Sequence, residues 1–267
     1  MKLEVSGQSF PFGEPIQAVT WSDGGPKRVV VVGVYPSAVH ARWIGVNGKQ
    51  RIGALAVANE PEPFWTGEDD ELIVQSVSGR LPSGVGSLEP ARLNGVSGKA
   101  LDPLLDCLGL QHRHVRIIDL WNRYLANSAQ EAARKREIER SEASGELQVA
   151  ELLEATRWTQ RAKITTLPQD RQPAFSEEFE EADPAWVVTL GEEPVKALKL
   201  EDLSLSDYGS IRRGVKVCDK TVNVIALAHT RQIAKHGLHA PEWFDAHQRW
   251  LSEQAELCRK EIAADLG

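Results

Sequence analysis

Residues Arg28 to His40 read Arg-Val-Val-Val-Val-Gly-Val-Tyr-Pro-Ser-Ala-Val-His. Four consecutive valines leave a strand with no polar face. Such a strand must be covered on both sides, which is the place of a central strand in a parallel sheet. Gly33 to Pro36 then forms a sharp turn at the carboxyl end of that strand. Open α/β sheets bind their ligands at this end.

Other runs fit the same scheme. His114–Leu120 reads as a second buried strand, and Ala185–Gly191 as a third that opens into a helix at Glu192–Leu198. Val215–Val224 reads as a hairpin whose second arm continues to His229 as the fourth main strand. Apolar spacing predicts a helix over Leu101–Leu110, and Ser128-Ala-Gln-Glu131 has the form of a capping box that starts another. A further helix is expected from about Glu146 to Gln160. A long terminal one starts at Pro241, with Phe244, His247, Trp250, Leu251, Leu257 and Cys258 on its core face. Ala38–Trp43 is expected as a short helix, Gly79–Gly98 as a long surface loop and Thr165–Asp183 as a linker loop. Phe64 and Trp65 look exposed in the Pro-rich loop from Asn59. Residues 1–27 read as a lead-in packed on the sheet edge, and the alternating charges of Ala133–Arg140 as a solvated helix face. Alternation of strand and helix predicts one α/β domain over residues 1–267. It is a three-layer fold with a short, mainly parallel central sheet flanked by helices and a helical insertion at about 128–165.

Composition narrows the function classes. A hydrophobic fraction of 42% over 267 residues supports a full core, and no run approaches the length of a membrane span. The first residues lack the layout of a signal peptide, so a cytoplasmic protein is expected, and a monomer. Cys107, Cys218 and Cys258 are odd in number and far apart, which fits neither a disulfide framework nor a metal spacing. No cofactor and no metal are expected. The formal charge of −7 argues against a protein that coats nucleic acid but leaves room for a local basic face.

Taken together, the turns after Gly33, Asp119 and Ala228 resemble the uracil-DNA glycosylase superfamily. That family has a Gly-x-x-Pro turn after its first strand, a base-reading residue ending the next core strand, and a His-containing turn after the last. The matching residues here are Gly33-Val-Tyr-Pro36, Asp119 in Ile-Ile-Asp-Leu, and His229 in Ala-His-Thr-Arg-Gln. The likeness covers roughly residues 28–251. It implies a uracil-DNA glycosylase-like fold, DNA with a flipped-out nucleotide as partner, and cleavage of the N-glycosidic bond.

The resemblance also implies roles. His229 matches the histidine that donates a hydrogen bond to O2 of the leaving base. Arg231 corresponds to a phosphate contact and Ile233 to an apolar wedge in the duplex. Asp119 departs from the usual Asn. A protonated, buried Asp donates to N3 and accepts from the amino group of cytosine, whereas a carboxylate repels O4 of uracil. Ser37 departs from a bulky Tyr and leaves room at C5 of the base. Together these two departures point to a C5-substituted cytosine. Such bases occur in viral DNA, hence an expected antiviral defence role. Tyr35 stands where many members of the family carry an Asp or Asn that orients the attacking water, and it is a poor base at neutral pH, which makes Glu60 a candidate substitute carboxylate. Val57 and Phe64 complete the base-binding set; Phe64 or Trp65 would stack on the base, and both fit equally well as plain loop anchors.

Other classes stay open. The chain fits a uracil-excising repair enzyme, or an inactive nucleic-acid-binding member of the fold, which Tyr35 favours. A nucleotide-processing enzyme on a Rossmann-like sheet has against it the lack of Gly-x-Gly-x-x-Gly and of a Walker-type Gly-Lys-Ser/Thr. A partner-binding protein would use the charged helix.

Overall fold

A computed structural model describes residues 7–21, 25–200, 204, 206–233 and 241–267. Residues 1–6 and 22–24 of the expected lead-in lie outside the described residues. The four valines form β1 (Val29–Gly33), buried throughout. It pairs in parallel with β5 (Val115–Asp119) on one side and β6 (Trp186–Leu190) on the other. Beyond β6 lies β8 (Lys220–Leu227), also parallel, and then β7 (Ile211–Val217), antiparallel to β8. The order β5-β1-β6-β8-β7 makes a five-stranded, mainly parallel sheet. The chain builds outward from β1 first to β5 and then to the other side. The crevice at the carboxyl ends of these strands is therefore a topological switch point.

Alternate valines of β1 face opposite layers. Val29 and Val31 share a core with Leu101, Leu104 and Leu105 of α2 (Val96–Cys107), Trp250 of α8 (Pro241–Glu253) and Ile262 of α9 (Ala255–Leu266). Val30 and Val32 share the opposite core with Phe175 and Phe179 of α5 (Gln172–Ala182). Each fully buried valine contributes roughly 1.5–3 kcal/mol relative to exposure. The result is a mixed α/β fold with helices on both faces of the sheet. Among the described residues no helix is long and apolar enough to cross a membrane.

Several expectations are corrected. Ala38–Trp43 is strand, not helix: β2 (Ala38–Ile44) pairs with β3 (Gln50–Asn59) and with β4 (Ser87–Pro90) in an antiparallel sheet of order β3-β2-β4. Val39, Ala41 and Trp43 alternate into its core, together with residues of α1 (Asp70–Ser78) and α4 (Leu147–Glu154). β4 and the start of α2 occupy the stretch expected as one long loop. The Thr165–Asp183 linker contains α5, whose Phe175 and Phe179 are fully buried with ring centroids 6.2 Å apart. The second helix of the insertion ends at Glu154, short of Gln160. The terminal helix is two, broken at Gln254, and Leu257 is 56% exposed.

The helix α3 (Ser128–Ala143) starts as expected but is capped differently. Asn127 accepts the Gln130 N–H at 2.9 Å, while Glu131 pairs with Arg134 and accepts from Trp158 Nε1. Its charged face is only partly solvated, because Glu137 is buried against Arg51 of β3 at 2.5 Å. The strands expected at residues 114–120, 185–191 and 215–229, and the helices expected near residues 101–110 and 192–198, are present with ends shifted by a few residues.

The layered packing predicts a sharp contrast. Phe179→Ala should destabilise the chain by about 3–5 kcal/mol, and Leu257→Ala by less than about 0.5 kcal/mol. Urea denaturation of the two variants checks both values.

Candidate functional site

The last rung of the β1–β5 ladder sets Gly33 opposite Asp119. A side chain at position 33 is excluded here: a Cβ would stand 2.2 Å from Asp119 Oδ1 and 2.9 Å from Phe64 Cε2. The carboxyl group and the Phe64 ring thus meet over a bare glycine. Asp119 is 3% exposed, and neither of its side-chain oxygens has a hydrogen-bond partner among the described residues. Its backbone carbonyl accepts from Arg171, whose guanidinium is otherwise held by both oxygens of Glu178. Burial pushes the Asp119 carboxyl up to about 7, against the pull of Arg171 and with a smaller push from Glu178.

Phe64 also packs near His229, ring centroids 6.1 Å apart and tilted by 34°. His229 follows β8 and immediately precedes α7 (Thr230–Ile233). Its Nδ1 accepts the Arg231 N–H at 3.2 Å. That bond assigns the ring proton to Nε2, so the imidazole presents a donor. Burial lowers its pKa to about 4, helped by the charges of Arg231 and Arg161, so the ring is neutral at pH 7. A second bond, from the His229 N–H to Gln232 Oε1 at 2.9 Å, fixes the turn.

Glu60 follows β3 directly. It is 5% exposed, and its Oε1 accepts the Ser37 N–H at 2.8 Å, which ties the end of the second sheet to the turn after β1. Burial pushes Glu60 up to about 8. The negative charge of Asp119 adds to the rise, and the Ser37 hydrogen bond opposes it. Two like charges within electrostatic reach titrate as a unit, so near neutral pH the pair holds at least one proton. Ser37 itself is exposed, and Tyr35 is half-buried beneath Arg161, whose guanidinium carbon lies 5.5 Å from the ring centroid. Burial raises the Tyr35 pKa, so the phenol keeps its proton.

The structure therefore gathers Tyr35, Ser37, Glu60, Phe64, Asp119, His229 and Arg231 at one end of the main sheet. Three expectations need correction. Phe64 and Trp65 are buried, not exposed. Val57 is fully buried in the apolar core of the second sheet, in the same cluster as Trp43 and Leu55, and does not join the polar group. Ile233 is half-buried against the main core and does not stand free as a wedge. Arg161 and Arg171 belong to the site and had no local motif to announce them; each acts on a residue far away in sequence. A separate groove of about 600 Å³ between β3 and α3 is lined by Arg51, Glu137 and Arg140 and shares none of the site residues.

Compared with protein-family models the chain matches none, and no curated protein matches it in sequence.

Both carboxyls hold their protons more tightly folded than unfolded. Their contribution to stability is whole below about pH 4, where both states are protonated, and is lost as pH rises through about 7 to 8. Asp119→Asn removes part of that loss. The melting temperature of the variant should fall less than that of the parent chain between pH 5 and pH 9, and parallel curves would contradict the assignment. Gly33→Ala forces a methyl group against Asp119 and should cost about 1–3 kcal/mol, read from the same melts.

Proposed function

We propose that the chain is a DNA glycosylase of the uracil-DNA glycosylase type that excises a cytosine-type base carrying a C5 substituent. One observation carries the reading: a buried carboxyl group with both oxygens uncommitted and an imidazole presenting Nε2–H both stand close to the Phe64 ring.

A base drawn out of the stack into this end of the sheet would lie against the Phe64 ring. Protonated Asp119 offers an O–H donor to N3 and a carbonyl acceptor to the amino group, the pattern of cytosine and the inverse of uracil. Its elevated pKa makes that form accessible near neutral pH. His229 Nε2–H donates to O2. The bond strengthens as the glycosidic electron pair moves onto the base, which is the differential stabilisation that lowers a barrier. A neutral ring suits this task, and burial keeps it neutral.

Water must then reach C1′ of the sugar. The step runs through the form in which Asp119 keeps its proton and Glu60 has lost its own; a neutral Asp119 lifts the like charge that opposes that ionisation, while burial still works against it, and Glu60 then accepts a water proton. The oxygen of water bonds to C1′, the N-glycosidic bond breaks, its electrons leave with the base, and one proton passes to Glu60. Tyr35 keeps its phenolic proton and can orient that water without removing a proton from it. Ser37, small and exposed, leaves space beside C5. Arg231, exposed next to His229, suits a flanking phosphate. A second reading, a DNA-binding protein without excision activity, rests on Tyr35 standing where an acid would be expected.

A panel of oligonucleotides bearing uracil, cytosine or C5-substituted cytosines, scored for abasic sites, tests the proposal. The substituted cytosines should be released and uracil spared. Asp119→Asn should shift the preference toward uracil. His229→Ala should lower the single-turnover rate by about 10²–10³-fold, the usual loss when one charge-stabilising donor is removed. Release of uracil alone by the parent chain would refute the base assignment; release of nothing would favour the binding-only reading.

A further inference from the structure

Arg161 comes from the end of the inserted segment and reaches the site across the fold. Its backbone N–H donates to the Ala126 carbonyl at 2.8 Å, and Ala126 in turn donates to the Thr159 carbonyl at 2.9 Å. This short ladder pins residues 159–161 beside the strand-end loop. The guanidinium is ion-paired with Glu193 of α6 (Glu192–Ala197), at the carboxyl end of β6, and lies over the ring of Tyr35. Glu193 is itself held by the Ile164 N–H at 2.6 Å. Arg161 is thus fixed at its backbone and at its tip, yet its side chain is 38% exposed. Arg231 is exposed and has no ion pair among the described residues. Both guanidiniums lie within electrostatic reach of the same two rings, Tyr35 and His229.

We propose that Arg161 and Arg231 form a two-armed bracket for the phosphodiester groups flanking the extruded nucleotide. The inserted segment supplies one arm and the turn after β8 the other. The inference rests on the glycosylase reading for its ligand and adds Arg161, together with a role for the insertion. The chemistry is that of a planar fork meeting phosphate oxygens. On a chain of net charge −7, guanidiniums with an exposed face give phosphate oxygens a local place to bind. Because Glu193 already orders Arg161, little side-chain entropy is lost when a phosphate adds to the exposed face of the guanidinium.

The test uses a fluorescent duplex with a tetrahydrofuran abasic analogue in place of the target nucleotide, and the same duplex with one neutral methylphosphonate beside it, placed in turn on the 5′ and 3′ sides. For one of the two placements, the neutral linkage and Arg161→Ala should each weaken binding about tenfold, and the combination should weaken it no further. The slope of log affinity against log salt should fall by about one in Arg161→Ala. Arg161→Lys should restore much of the slope. Glu193→Gln, which frees the arginine without removing it, should keep the coupling; if it reproduces the loss instead, Arg161 acts only by bracing the loop and the bracket is wrong. Losses that multiply for both placements also overturn it, even when the parent chain releases bases normally. Coupling without release of any base would uphold the bracket and sink the excision reading. No binding to either duplex would sink both.

Discussion

Taking a carboxyl group out of water without giving it a partner costs several kcal/mol, unless the group keeps its proton. Asp119 is held in that state by the main sheet itself. The β1–β5 register brings it across Gly33, the missing side chain of Gly33 makes room, and Arg171 is committed to Glu178 and to the Asp119 backbone. Arg171 therefore braces the strand end and offsets only part of what burial does to the acid. Glu60 inherits part of the strain, since it ionises against the same charge. A protein selected for stability alone would carry a satisfied side chain here. Unsatisfied buried acids persist where something else depends on them.

The second sheet gives the site its far wall. β2 leaves directly from the turn after β1, and β3 returns to place Glu60 beneath the Ser37 N–H. The following loop carries Phe64 at a positive φ of 57°, an uncommon conformation for a large side chain. It is clamped by the start of α2, where a Cβ on Gly98 would sit 2.1 Å from the Phe64 carbonyl oxygen and one on Gly95 2.0 Å from that of Thr66. Such close approach leaves no room for a side chain at either glycine, and the packing holds the Phe64 backbone against the start of α2.

How much of this was legible differs by element. The parallel strands were, because a run such as Val29–Val32 has only one comfortable place. The β2–β3 hairpin was not, although Asn47-Gly48 between two alternating runs is a strong turn signal and Gly48 does adopt a φ of +72°. Short apolar runs are ambiguous between helix and strand, and Ala38–Trp43 is such a run: its pairing with β3 and β4 decides it. α5 was hidden because its two phenylalanines stand among acidic and polar residues. At the site, Asp119 and His229 were visible through the order of their motifs. The Nε2–H tautomer depends on a bond to the Arg231 backbone, and the position of Arg161 on contacts across the fold, so neither has a counterpart in local sequence.

Burial acts in one direction on two groups of opposite type. It raises the Asp119 carboxyl to about 7 and lowers the His229 imidazole to about 4. An acid that holds its proton more tightly than the neighbouring ring would accept it does not hand that proton over, so the two do not collapse into an ion pair. Between those two values the same exclusion of water leaves one end of the sheet with an uncharged acid and an uncharged imidazole together.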